Sequence, residues 1–176
     1  MHGAYLGVNR CPRIERLQRR PFFQAQVRLS LMAARTKARK RALDVLFEAD
    51  QRGENVLDVL TQRQTASGRE HPLQPYAEEI VRGVASRWIE INALIQEASP
   101  EWTLQRMPAV DRAILRIATW EILSNPEVGT AVAIDEAVEL AGDLSTPDSP
   151  KFVNGILGTI ARDAPALPTD TAAEPG

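Results

Sequence analysis

The stretch AVDRAILRIATWEIL, residues 109–123, decides the fold of this chain. Its apolar side chains recur at spacings of three and four residues, which is the period of one face of a helix. Pro108 stands directly before the stretch and Asn125-Pro126 follows it after one residue, so both ends are marked by residues that favour helix boundaries. The sequence therefore predicts a strongly apolar helix over about Ala109 to Leu123.

Similar helical patterns lie on both sides of this helix. Almost no segment alternates between apolar and polar residues with period two, so no sheet is expected. We predict an all-α fold of six or seven helices, arranged in two small sub-bundles that meet near Ser99-Pro100. The first predicted helix covers about Ala34 to Arg52 and stops at Gly53, and the second starts at Asn55. A long helix that bends midway follows Pro75. The remaining two cover about Ala133 to Leu144 and Pro150 to Arg162.

Length and composition indicate one folded domain with two dissimilar ends. The chain has 176 residues, of which 44% are hydrophobic and 25% charged. Residues 1–31 carry six arginines against one glutamate and have weak periodicity. They are expected to be a disordered basic extension, or to precede the true start at Met32. Residues 32–163 are expected to form the folded domain, and residues 164–176, rich in Pro, Ala and Thr, a disordered tail.

The sequence offers little for catalysis. Cys11 is the only cysteine, and the chain has no glycine-rich phosphate loop and no zinc-binding motif. Asp135, Glu136 and Glu139 share a helix face that we expect to be solvated. We predict no enzyme activity, no metal site and no cofactor. No run of about 18 apolar residues and no secretory signal is present, which favours a cytoplasmic protein without a membrane span.

The segment RTKARKR, residues 35–41, contains five cations in an otherwise acidic chain. It lies at the start of the first predicted helix, where positive charge mildly opposes the helix dipole. Clustered Arg and Lys side chains match the spacing of phosphates on nucleic acid, and each neutralised phosphate releases counterions. An anionic partner is therefore the simplest explanation for the cluster.

A second candidate site is DSPKFVNG, residues 148–155, at the start of the last predicted helix. It places a cation, an aromatic ring and an amide within four residues, beside the free N–H groups of a helix N-terminus. Spacing alone leaves two interpretations open. Lys151 and Phe152 either contact nucleic acid, or they lie in solvent and in the core while Asp148 or Ser149 caps the helix.

Four ordered blocks of this sequence resemble the bacterial transcription antitermination factor NusB family. The resemblance covers about Arg35 to Ala161. It rests on the arginine-rich start with the following ALDVLF, on PAVDRAILR, on AIDEAVELA and on DSPKFVNG. It implies an all-helical protein that binds the single-stranded boxA RNA element of ribosomal RNA leaders. It also implies pairing with the small-subunit ribosomal protein NusE, in a complex that joins RNA polymerase and suppresses termination.

The resemblance also implies roles for individual residues. Asp111 matches a position that contacts the ribosomal-protein partner, and Asp148 is placed near the RNA surface. The implied RNA contacts are Arg35, Lys37, Arg39, Lys40, Arg41, Lys151 and Phe152.

Two alternatives remain open. One is an RNA-independent helical interaction module, such as a homodimer that buries the basic segment. A remote one is the RNA-binding part of a ribosomal RNA methyltransferase, which requires a second domain with a glycine-rich cofactor loop. Neither that domain nor that loop is found before Gly176.

Overall fold

A computed structural model describes residues 21–65 and 73–163, with backbone only for residues 21–29. These residues form helices and connecting turns and contain no strand, so the predicted all-α fold is confirmed. The helices are α1 (Pro21–Arg52), α2 (Val56–Thr65), α3 (Pro75–Ser86), α4 (Trp88–Ala98), a 3₁₀ turn (Leu104–Arg106), α5 (Ala109–Ser124), α6 (Thr130–Leu144) and α7 (Ser149–Asp163).

Several helix ends lie where the sequence predicts them. Gly53 follows α1 with a φ of 64°, a backbone conformation that glycine adopts without strain. The side chain of Asn55 accepts a hydrogen bond from the Leu57 N–H at 2.8 Å, which caps α2. Pro75 is the first residue of α3. Local side-chain chemistry therefore fixes these boundaries.

Other boundaries differ from the predictions. Helix α1 begins at Pro21, so residues 21–31, expected to be disordered, are helical. After Pro21 this segment contains no glycine or proline and is rich in good helix formers, which allows the helix to extend. The predicted long helix after Pro75 is broken at Arg87 into α3 and α4. Residues 1–20, residues 66–72 and the predicted tail 164–176 lie outside the described residues.

Helix α5 is the centre of the core. Twelve of its sixteen residues are buried, and it packs against α3, α4, α6 and α7. The chain divides into two compact units, Met1–Thr36 and Lys37–Gly176, and the cluster of buried side chains lies in the second. None of the helices in the described ranges is long and apolar enough to cross a membrane.

Glycines of α3 and α7 differ in how closely a neighbouring helix approaches them. A Cβ on Gly83 of α3 would lie 2.0 Å from Nε1 of Trp120, so only glycine allows α3 to approach α5 this closely. The Gly155–Gly158 pair of α7, in contrast, faces solvent. A Cβ on either glycine would meet nothing within 4 Å.

Candidate nucleic-acid interface

The predicted basic segment comprises residues 35–41, and its part in the second unit, Lys37–Arg41, is called the basic segment from here on. These residues split between surface and core. On α1, Ala38 and Ala42 are four residues apart and both are buried, so the face they share points inward. Arg39 lies beside this face and is only 2% exposed. Lys37 and Arg41 are exposed, and Lys40 is partly exposed. Helical geometry therefore divides one run of cations into two groups.

Arg39 is held in the core by two carboxylates. Its Nε donates to Oε1 of Glu121 at 2.9 Å, and its Nη1 lies 3.0 Å from Oε2 of Glu136. The hydroxyl of Tyr76 donates to the same Glu121, and the Asn125 amide donates to the Tyr76 oxygen at 3.2 Å. Helices α1, α3, α5 and α6 thus meet in one buried polar network.

The environment of Arg39 explains why this cation tolerates burial. Desolvation alone would lower the pKa of Arg39, but the charge and hydrogen bond of Glu121, with the charge of Glu136, raise it above its ordinary value. The guanidinium therefore stays charged and has almost no surface left for a phosphate. The predicted RNA contact at Arg39 does not match this position. Glu136, expected on a solvated face, is likewise a partner of this network.

Lys40 makes an ion pair near the end of α6. Its Nζ lies 2.9 Å from Oδ2 of Asp143, and both side chains are about half exposed, at 44% and 50%. The hydrogen bond and charge of Asp143 raise the pKa of Lys40. The pair joins the basic segment to the C-terminal end of α6.

Arg41 and Lys37 are the exposed cations of the basic segment. Arg41 lies 3.8 Å from Asp44 in a long, exposed ion pair. Lys37 is exposed on the same helix. Arg35 belongs to the first unit, where it is partly exposed, and its predicted RNA contact stays a prediction.

The start of α7 is organised around Ser149, which is 1% exposed. Its hydroxyl donates to Oδ2 of Asp111 at 2.8 Å and lies 3.1 Å from the Ser145 hydroxyl. The Thr146 backbone N–H donates to the Ser149 oxygen at 3.2 Å. This arrangement fixes the loop between α6 and α7 and anchors the first turn of α7 to α5.

Asp111 therefore holds α7 in place from inside the protein. It is 1% exposed, and its second oxygen, Oδ1, is buried without a hydrogen-bond partner among the described residues. The predicted direct contact of Asp111 with a protein partner does not match this burial. Its observed contact is with Ser149, which lies in the segment 148–155 two residues before Lys151.

Lys151 and Asp148 are exposed beside this anchored turn. Phe152 is partly buried and packs edge-to-face with Trp102, with ring centroids 5.1 Å apart and planes at 64°. Trp102 is 39% exposed, whereas Trp120 is buried. Phe152 therefore packs on the core, as one interpretation of the segment expected, and also contacts the exposed Trp102 ring. Contact of Lys151 and Phe152 with nucleic acid stays a prediction.

Contacts through α6 bring the two candidate sites, the basic segment and the start of α7, to neighbouring positions. The ion pair with Asp143 places Lys40 at the end of α6 from which the short loop leads to Ser149. A Cβ on Gly142 would lie 3.7 Å from Cγ of Pro150, so this end of α6 touches the first turn of α7. The end of α6 therefore connects Lys40 of α1 with the first turn of α7 within the second unit. The described residues contain no group of three or more His, Cys, Asp or Glu placed to hold a metal ion.

Fold and surface together define a class of all-α proteins with exposed cations on the first helix and an aromatic pair, Trp102 and Phe152, beside the last helix. A family model described as "NusB family" matches residues 36–162. The "Transcription antitermination protein NusB" of Beutenbergia cavernae is 50% identical in an alignment of 153 residues that covers 82% of this chain and 100% of that protein. The protein of the same name from Pseudarthrobacter chlorophenolicus is 51% identical over 136 residues, covering 77% and 98%.

Solved structures agree with these relatives. The NusB of T. maritima superposes with a TM-score of 0.65 and 33% identity, covering 74% of this chain and 92% of that one. A crystal structure of antitermination factors NusB and NusE in complex with dsRNA has a TM-score of 0.61 at 24% identity, with coverage of 73% and 96%, and supports the fold. The chain belongs to the NusB family.

We expect Arg39→Met to destabilise the protein by about 3–5 kcal/mol, because it leaves two poorly hydrated carboxylates without their cation. Urea unfolding followed by circular dichroism measures this loss. Lys40→Met is the matched control, since removal of a half-exposed ion pair should cost about 1 kcal/mol or less. Equal stability of the two variants would contradict the core role of Arg39.

Proposed function

We propose that this protein is a transcription antitermination factor that binds the boxA RNA of ribosomal RNA leaders together with the ribosomal protein NusE. In this role it helps RNA polymerase to transcribe ribosomal RNA processively. One observation carries the proposal: the exposed cations of α1 adjoin, through the end of α6, the anchored start of α7 with Lys151 and the Trp102–Phe152 pair. Family membership and the names of the relatives agree with it.

The chemistry of this surface suits a single strand of RNA. Lys37, Arg41 and Lys151 provide positive charge for the phosphates, which fixes the position of the strand without reading its sequence. Trp102 provides an exposed aromatic face on which an unpaired base stacks. Asp111 acts indirectly, by holding the turn of α7 that carries Lys151 and Phe152.

The partner assignment rests on similarity. The solved assembly of NusB, NusE and RNA describes what a protein of the same fold forms. We extend NusE binding to this chain from its family membership. A non-catalytic role in the cytoplasm, without metal or cofactor, follows from the same proposal. Self-association remains a prediction from the resemblance.

Lys37→Ala combined with Arg41→Ala is expected to weaken boxA RNA binding roughly tenfold at low salt, because two phosphate contacts are lost. The slope of log K against log salt should become shallower by about 1.4, at about 0.7 for each contact. Fluorescence anisotropy with labelled boxA RNA at several salt concentrations measures both changes.

The control for this variant is Arg52→Ala with Arg82→Ala, which removes the same charge from exposed positions on the C-terminal end of α1 and on α3. It should leave the salt slope unchanged. A flat salt response of the unaltered protein, or equal effects of the two double variants, would rule out the basic segment as the phosphate-binding surface.

Trp102→Ala is expected to weaken RNA binding by about fivefold or more, because one stacked base loses its platform. The salt slope should stay the same, since no charge changes. Trp102→Phe should restore part of the affinity, and thermal unfolding checks that both variants remain folded. Unchanged affinity of Trp102→Ala would show that no base stacks on this ring.

The protein and NusE are expected to elute together from a size-exclusion column when mixed, and to include boxA RNA when it is added. Separate elution in the presence and absence of RNA would contradict the proposed partner.

A further inference from the structure

The ion pair between Lys40 and Asp143 occupies a lysine of the basic segment and so affects RNA binding. Lys40 Nζ is 2.9 Å from Asp143 Oδ2, and both side chains are about half exposed. Exposed ion pairs of this kind stabilise proteins little and exchange readily with other ions. When a phosphate approaches, the Lys40 ammonium group is therefore already in contact with the Asp143 carboxylate.

Other acids of α6 face the same lysine. Glu136, Glu139 and Asp143 lie at spacings of three and four residues along one face of α6, and the charge of each raises the pKa of Lys40. Glu136 is mainly engaged with Arg39, at 3.0 Å. Asp143 is the member of this face that hydrogen-bonds Lys40 directly.

We propose that Asp143 is an affinity-determining residue, an internal counter-ion that an RNA phosphate must displace from Lys40 before this lysine contributes to binding. The inference rests on the proposed RNA-binding function. While the pair is intact, its net charge is zero, so Lys40 neutralises no phosphate and releases no counterion from the RNA. Even after displacement, the nearby carboxylate repels the phosphate that replaces it.

The test compares Asp143→Asn with the unaltered protein in the salt titration of boxA RNA. We expect Asp143→Asn to bind about fivefold more tightly at low salt, because Lys40 loses the carboxylate that hydrogen-bonds it directly. The salt slope should become steeper by about 0.7, the value for one added phosphate contact on single-stranded RNA. The asparagine side chain keeps the size of aspartate, and its exposed position makes misfolding a minor concern.

Two further variants complete the experiment. Glu79→Gln on α3 removes one exposed negative charge elsewhere and should change neither affinity nor slope by a similar amount. Lys40→Met should have an effect of less than about twofold in the unaltered protein, since Asp143 already neutralises Lys40, but should reverse the gain when combined with Asp143→Asn.

The outcomes separate this inference from the proposed function. If the unaltered protein binds RNA with a salt-dependent affinity and Asp143→Asn behaves like Glu79→Gln, the inference is overturned and the function stands. A gain that persists in the Lys40→Met/Asp143→Asn variant also overturns it, because the gain then does not act through Lys40. Salt-independent or absent binding by the unaltered protein overturns both.

Discussion

The buried contact of Arg39 with Glu121 and Glu136 is the constraint on which the helical packing depends. A cation at 2% exposure is tolerated only when its partners are fixed, so this contact sets the register of α1 against α5 and α6 at one point. Because helical geometry is regular, fixing Arg39 also fixes where Lys37, Lys40 and Arg41 emerge. The core and the cationic surface are thus determined by the same helix.

Other polar side chains along the central helix α5 also fix the positions of neighbouring helices. Glu121 of α5 holds α1 and α3, Asp111 holds the start of α7, and Arg116 reaches both Asp50 of α1 and Asn92 of α4. Apolar packing is not directional, whereas each of these polar contacts admits one relative position of two helices. The otherwise apolar α5 therefore supplies the core and also specifies how its neighbours dock.

Periodicity predicted the helices well, because apolar spacing and capping residues are local properties. Periodicity did not predict the burial of Arg39, because that burial depends on Glu121, 82 residues further along the chain. A local indication existed: Arg39, Leu43 and Leu46 follow one another at spacings of four and three, which places Arg39 on the apolar face. Trp102 lies in a turn outside any helix, so its pairing with Phe152 had no comparable indication.

The different surroundings of neighbouring cations also restrict which replacements evolution would accept. Lysine in place of Arg39 would keep the charge but lose the planar fork that spans two carboxylates on separate helices. At the exposed positions 37 and 41, either cation would serve a phosphate by charge alone, and drift between the two is expected to be nearly neutral. Related sequences would then keep arginine at position 39 and exchange arginine and lysine at positions 37 and 41, although all three residues are positively charged.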